Sequence, residues 1–329
     1  MQCQTGNNNS TKGFFRNKRT IFTNNKNIMI TPQYIKQGDT IGIIAPAKKV
    51  EKSEVDNAVK IFESWGLHVK LGPNIYKENN QFAGADDERA NDLQSMLADN
   101  EVKAIIAARG GYGTIRLLDK VNFYALIKMP KWIVGYSDIT ILHSALNHQM
   151  NIESIHGTMP INFPPTGKEN KSLLSLKDIL FGEKPAYTFP SHPLNIQGKT
   201  EGMLIGGNLS VLHSLAGSKY DMNTENTILF LEDLDEYLYH IDRMMMNLKV
   251  AGKLEKLRGV IIGGMTEMHD NEVPFGRTAE EIVIDIMKDY NIPVAFNFPA
   301  GHINPNMALI LGRHVKLQIN DSQSTLTFN

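Results

Sequence analysis

Four short segments of the chain carry residues able to attack or polarise a carbonyl group. The first is Gly135-Tyr-Ser-Asp-Ile-Thr140. An apolar run, Trp132–Tyr136, reads as a strand, and a helix over Ile139–Leu146 follows at once. A serine at that turn, Ser137, projects beyond the carboxyl edge of a sheet, where open α/β sheets bind ligands. The start of the helix adds free N–H groups and partial positive charge, which suit a developing oxyanion. Ser-Asp ahead of an apolar helix is equally an ordinary N-cap. The G-x-S-x-G elbow is not matched, because Ile139 stands where its second glycine belongs.

The second segment is Arg109-Gly-Gly-Tyr-Gly113, which follows a buried-strand pattern and opens a helix. Its glycines permit positive φ and close backbone approach to a ligand. A dinucleotide loop would need G-x-G-x-x-G, and Arg116 occupies the third glycine position. An oxyanion loop offering a backbone N–H and a plain tight turn both remain open. The third segment, Leu231-Glu-Asp-Leu-Asp-Glu236, crowds carboxylates at the end of a strand and the start of a helix. They complement the helix dipole, or one of them orients a histidine. The fourth, Phe298-Pro-Ala-Gly-His302, puts His302 on a loop after a strand, either as a general base or as a surface residue. Together the segments place serine, acid and histidine on loops that follow strands, which is the logic of a nucleophile, a base and the orienter of that base.

The elements that must position these groups alternate. Thr40–Ala45, His68–Leu71, Val102–Ala108 and Trp132–Tyr136 read as strands, separated by helices over 53–65, 85–98 and a segment starting at Thr114. Such alternation predicts a doubly wound parallel sheet. Residues 164–200 are rich in proline, with one short helix near 172–181, and read as a connection between domains. A second α/β unit follows, with strands at 227–231, 259–263 and 293–296 and helices at 236–250 and 278–290. The last segments, 308–311 and 314–319, read as a closing β-hairpin. The expected division is a nucleophile domain over 29–163, a linker over 164–200, and a domain carrying acid and base over 201–329.

Composition narrows the functional classes. The chain has 329 residues, 42% hydrophobic and 21% charged, which suits a soluble two-domain protein. A formal net charge of -1 provides no global field for nucleic acid or an anionic membrane. Cys3 is the only cysteine, so neither an intrachain disulfide nor a Cys-rich zinc site can form. No H-E-x-x-H occurs, and His143 and His148 are five apart, off a common helical face. His240 belongs to an amphipathic helix, and neither a metal nor a cofactor is expected. Residues 1–28 hold five basic residues, no acidic ones and many asparagines, and read as a disordered tail or an extension ahead of Met29. A transit peptide is the sharper reading of that stretch. Without it the remainder carries 29 basic against 35 acidic residues.

Beyond these readings, the chain resembles the LD-carboxypeptidase family, the serine peptidases that include muramoyltetrapeptide carboxypeptidases and microcin C self-immunity proteins. The resemblance rests on Gly38-Asp-Thr-Ile-Gly-Ile-Ile-Ala-Pro46, Ala107–Gly113, Gly135–Thr140, Gly202–Leu209, Phe230–Asp233, Tyr239–Met244 and Gly301-His302. It implies a flavodoxin-like N-terminal domain, a swivelling α/β C-terminal domain, and a triad of Ser137, Glu232 and His302 at their junction. It also implies an oxyanion hole made by the N–H groups of Gly111 and Asp138. The resemblance alone chooses Glu232 over Asp233. The implied reaction is removal of the terminal D-alanine from a muropeptide tetrapeptide, in the cytoplasm and in peptidoglycan recycling. The substrate's free carboxylate needs a cationic or N–H-rich pocket, for which Arg109 is a candidate by position. Hydrolysis of a microcin C-like peptide-nucleotide is the alternative that keeps the chemistry. A non-catalytic α/β binder of a small molecule, built on the Gly110–Gly113 loop, is the alternative that does not. The expected partner is a small peptide rather than nucleic acid or membrane, and the family suggests a homodimer.

Overall fold

The structure is a computed structural model that describes residues 29–329; the tail expected over 1–28 lies outside the described residues. The N-terminal unit runs β1 (Thr40–Ile44), α1 (Lys52–Ser64), β2 (His68–Leu71), α2 (Asp86–Ala98), β3 (Val102–Ala107), α3 (Ala125–Lys128), β4 (Trp132–Gly135), α4 (Thr140–Ala145) and β5 (Ser154–His156). Its parallel strands lie in the order 2-1-3-4-5, the flavodoxin-like order. The sequence dictates this directly. β1, β3 and β4 are almost wholly buried, so their runs are continuously apolar, as strands covered on both faces must be. The covering helices show the complementary 3.6-residue stripe: Val55, Ala58, Ile61 and Phe62 on α1, and Leu93, Met96 and Leu97 on α2.

The second unit begins inside the proline-rich connection. α5 (Lys171–Leu180) leads to β6 (Ala186–Pro190), an edge strand of the second sheet, so residues 164–200 are built into the fold rather than strung between domains. There follow β7 (Gly198–Asn208), α6 (Leu209–Ser214), β8 (Thr227–Leu234), α7 (Leu238–Val250), β9 (Gly259–Thr266), α8 (Ala279–Met287), β10 (Val294–Ala295), β11 (Leu309–Leu311), β12 (His314–Ile319) and β13 (Gln323–Phe328). The second sheet has the order β10-β9-β8-β7-β12-β13-β6, parallel through its first four strands and antiparallel beyond.

The expected hairpin of 308–311 with 314–319 does not form. β11 crosses back and pairs antiparallel with β5 in the first sheet, while β12 pairs with β7 and β13 in the second. Leu309, Ile310 and Leu311 are fully buried, so three apolar residues find more burial between the units than a terminal hairpin would give. The crossing is clamped at Arg313, whose guanidinium donates to both carboxylate oxygens of buried Glu153 at 2.6 and 2.5 Å and to the Tyr34 hydroxyl at 3.1 Å. One hydrophobic cluster consequently runs through both sheets, from Ile41 and Ile106 to Phe230 and Phe298.

Candidate active site at the junction of the two sheets

Ser137 occupies the turn between β4 and α4, in the left-handed region at φ 61°. For a residue with a Cβ that conformation is strained, and such strain persists only where the surroundings impose it. Ser137 does not act as the N-cap that its sequence context allows: neither the short 3-10 turn 137–139 nor α4 has a side-chain cap. The turn is fixed from below by His143, which is wholly buried in the helix that follows. Its Nε2 faces the Gly135 carbonyl and its Nδ1 faces the Ser154 hydroxyl, both at 2.9 Å. Burial drives its pKa down to about 4, so the ring is neutral, with the proton on Nε2 donated to that carbonyl.

The glycine-rich loop after β3 packs against this turn. A Cβ on Gly110 would stand 3.0 Å from the Ser137 Cβ and 3.2 Å from its hydroxyl. Gly111 has φ +110°, which a side chain would not tolerate, and its N–H donates to no protein acceptor among the described residues. The Asp138 N–H lies in the first turn of a helix, where no intrahelical acceptor exists. The Asp138 carboxylate ties the two loops together by accepting the Thr114 N–H at 2.8 Å; burial raises its pKa and that bond opposes the rise. Buried Arg89 holds the same loop from the other side, donating to the carbonyls of Pro46 at 2.6 Å and Gly113 at 3.1 Å.

The acid and the histidine come from the second sheet. Glu232 is fully buried at the end of β8, and its Oε2 accepts from His302 Nδ1 at 2.7 Å and from the His302 backbone N–H at 3.2 Å. Two features of the backbone make this pairing possible. The β8–β9 ladder slips at Glu232, with Leu231 opposite Ile262 but Asp233 opposite Met265, and the extra residue falls at Gly263-Gly264. The following loop crosses there, with the Gly264 N–H donating to Ala300 O at 2.9 Å. Gly301, at φ +105°, then passes so close that a Cβ would lie 2.7 Å from the Glu232 Cβ and Oε2. Burial lowers the pKa of His302, but the hydrogen bond and charge of Glu232 outweigh it and the net shift is upward.

Asp233 faces the other way, as neighbours on a strand must. It accepts from Asn208 Nδ2 and the Ser210 N–H at 3.0 and 2.8 Å, so it serves the first turn of α6, whose N-cap is Asn208, rather than α7. Burial, and then the charge of Glu232, push its pKa up to about 6. Asn208 in turn donates its N–H to Thr140 Oγ1 at 3.1 Å, which joins the end of β7 to the helix behind Ser137.

Across the seam, the His302 ring lies against the ring of Tyr136, the residue before Ser137, with centroids 4.8 Å apart. Among the described residues no hydrogen bond joins the Ser137 hydroxyl to His302, and catalytic contacts often tighten only around a bound substrate. Tyr136 donates its hydroxyl to Asn162 at 2.9 Å, and burial with the nearby Glu232 charge pushes the phenol up to about 12. Arg109 points elsewhere, donating to the Lys49 carbonyl at 3.3 Å. The sequence reading missed Tyr136, Arg89, His143, Asn208 and Asp233 as parts of the frame. Tyr136 lay inside a motif already singled out; a buried Arg89 on a helix shows no sequence signal that separates it from a solvent-facing one.

The family model for the LD-carboxypeptidase N-terminal domain matches residues 41–157, and that for its C-terminal domain matches 201–317. The chain belongs to the LD-carboxypeptidase family. A family relative named probable murein peptide carboxypeptidase, from Bacillus subtilis, is 37% identical over 303 residues, covering 89% of this chain and 92% of that protein. The crystal structure of muramoyltetrapeptide carboxypeptidase from Oxalobacter formigenes matches with TM-score 0.81 at 28% identity, over 88% of this chain and 98% of that one. The microcin C7 self immunity protein MccF shares the LD-carboxypeptidase fold at TM-score 0.79 and 22% identity, over 91% of this chain and 98% of that one.

Proposed function

We propose that the protein is a serine-type L,D-carboxypeptidase that releases the terminal D-alanine from a muropeptide tetrapeptide, serving peptidoglycan recycling in the cytoplasm. The observation that carries this reading is the buried Glu232 carboxylate held on His302 Nδ1, with the imidazole packed on the residue that precedes a strained serine. Murein peptide appears in the name of a relative 37% identical to the chain, and muramoyltetrapeptide in that of a structural neighbour at 28%.

The chemistry follows from the groups in place. His302 Nε2 takes the proton of the Ser137 hydroxyl as Oγ bonds to the scissile carbonyl carbon. Glu232 keeps the imidazole in the Nδ1–H tautomer and stabilises the cation that forms. The N–H groups of Gly111 and Asp138 receive the oxyanion. As the C–N bond breaks, His302 gives its proton to the departing amine. Water then attacks the acyl-enzyme by the same route, and Ser137 recovers its proton. The peptide-nucleotide reading has no comparable support, because likeness to MccF at 22% identity carries the fold alone.

The test is mass spectrometry of a muropeptide digest. The wild type should release D-alanine from tetrapeptide in the presence of a chelator, and Ser137→Ala should lower kcat by about 10⁴-fold or more. Substantial turnover by Ser137→Ala would end the assignment.

A further inference from the structure

Beside His302 the seam opens into a cavity of about 480 Å³, whose lining includes Tyr136, Asn162, Asn170, Asn304 and Asn306. Its wall contains four asparagines and, His302 apart, no ionisable group except the Tyr136 phenol. Three of those amides are oriented by the protein. The Asn162 Oδ1 accepts from the Tyr136 hydroxyl at 2.9 Å, the Asn170 Oδ1 from the Leu173 N–H at 2.9 Å, and the Asn306 Oδ1 from the Gly301 N–H at 2.9 Å. With each oxygen engaged, each NH₂ is the free end, and none of the three donates to a protein acceptor among the described residues. Asn306 is 95% buried by its 5% exposure, and its Nδ2 is without a partner. Its backbone N–H is also pinned, to Ser172 Oγ at 2.8 Å. A buried donor left unmade is costly, so the unpartnered Asn306 amide, beside the free NH₂ groups of Asn162 and half-buried Asn170, points to an acceptor that arrives with the ligand.

We propose that this cavity is the subsite for the leaving amino acid, and that the amide NH₂ groups of Asn162, Asn170 and Asn306 read its free carboxylate. The proposal rests on the carboxypeptidase reading. The group that protonates the departing amine must lie on the leaving-group side of the scissile bond. His302 lines this cavity, whereas the Gly111 N–H that would hold the oxyanion belongs to the loop packed on Ser137, which is not part of the lining. The leaving residue of a carboxypeptidase substrate ends in a carboxylate, an acceptor with about four lone-pair sites, which three amides can share. Neutral donors bind that anion without placing a second full positive charge beside His302, whose protonation must stay reversible. Arg109, the candidate suggested by position, is outside the cavity.

The experiment compares tetrapeptide ending in D-alanine with the same peptide ending in D-alaninamide. Asn306→Asp keeps an oxygen for the Gly301 N–H and the shape of the side chain, but turns a carboxylate oxygen toward the ligand. Asn170→Asp does the same while remaining a good N-cap for α5. Either variant should raise KM for the acid at least about tenfold, the scale of one lost charge-assisted hydrogen bond, with a smaller effect on kcat. The amide-ended peptide, which needs no anion site, should be affected less, so the preference of the wild type for the acid should shrink or invert. If both variants keep the wild-type ratio of acid to amide, or the wild type itself does not distinguish them, the subsite assignment is overturned while the serine chemistry stands. A wild type that releases no D-alanine and is not labelled at Ser137 by a fluorophosphonate overturns both.

Discussion

Glu232→Gln removes one charge and leaves the volume of the site unchanged. Glu232 Oε2 now accepts two N–H groups of His302, at 2.7 and 3.2 Å, and Oε1 is buried with no partner. A glutamine can keep its oxygen on His302 only by turning its NH₂ into the place of Oε1, where it finds no acceptor. That leaves a buried donor unsatisfied, at about 1–3 kcal/mol. The reverse orientation sets NH₂ against two N–H groups and forces His302 into the tautomer with its proton on Nε2, facing the serine it should deprotonate. In both orientations the imidazolium formed during attack loses its anion. Removal of the orienting acid in triads of this kind costs about 10³–10⁴ in kcat, or about 4–5.5 kcal/mol at 1.36 kcal/mol per decade. The assay is D-alanine release across pH, with fluorophosphonate labelling of Ser137 as a readout independent of substrate. The wild-type kcat/KM should rise with pH through an ionisation above the ordinary histidine value, since the Glu232 hydrogen bond and charge raise the His302 pKa. The variant should lose that elevation together with its rate. A Glu232→Gln enzyme with more than about a tenth of the wild-type kcat would refute the assignment of the acid.

Two further predictions concern the frame. Ser137→Gly should be inactive yet more stable, because glycine adopts φ 61° without the penalty that serine bears. The gain should be about 1 kcal/mol, seen as a Tm higher by a few degrees, and Ser137→Ala should show none of it. An unchanged Tm in the glycine variant would mean the turn is not strained. His143 should stay neutral to about pH 4, with its proton on Nε2, in long-range ¹H–¹⁵N correlation spectra. Its folded-state pKa lies below the unfolded value of 6.5, so its share of stability is complete above 6.5 and is lost as pH falls toward 4, by about 3 kcal/mol. Asp233, raised to about 6 from 3.8, works in the opposite direction between those values. A His143 midpoint at 6 or higher would remove the basis for its role beneath Gly135.

Much of the architecture was legible because burial writes directly into the pattern of residues. The strands at 40–45, 102–108 and 132–136 are continuous apolar runs for the same reason that they are central strands. The segments that were misread are those whose partners lie far along the chain. Nothing local in Leu309-Ile-Leu311 says that it pairs with β5 rather than with the next strand. Likewise, β6 looks like connection because an edge strand tolerates prolines that a central strand does not. At the candidate site, the residues of the four motifs were visible as types. The choice between Glu232 and Asp233 came only from resemblance, because it depends on which side of a strand each faces after a slip in the β9 ladder. The amide-lined cavity was invisible for a similar reason. Asn162, Asn170 and Asn306 come from three separate segments, and an asparagine at a helix end or in a loop normally satisfies nearby backbone.

The division of labour between the sheets explains why so much of the polar structure lies away from the reacting atoms. The first sheet holds Ser137 and both proposed oxyanion donors as one unit, since Asp138 is bonded to Thr114 and Gly110 abuts Ser137. The second holds Glu232 and His302 as another, through the close pass of Gly301. Each unit fixes its own groups through internal contacts, so their mutual setting depends on how the units sit against each other. Among the contacts that constrain it are β11 in the sheet of the other unit, the Arg313–Glu153 pair, the Ser144 hydroxyl donating to the Tyr220 carbonyl, and Asn208 bonded to both Thr140 and Asp233. Asn208 is the constraint nearest the chemistry, since Thr140 follows Ser137 by one helical turn and Asp233 adjoins Glu232. A relay between serine and histidine tolerates displacements of only a fraction of an ångström. Two separately folded halves can meet that tolerance only if the contacts at their seam are as specific as those within each half, and a buried asparagine that bonds one half through its backbone N–H and the other through its side chain supplies that specificity.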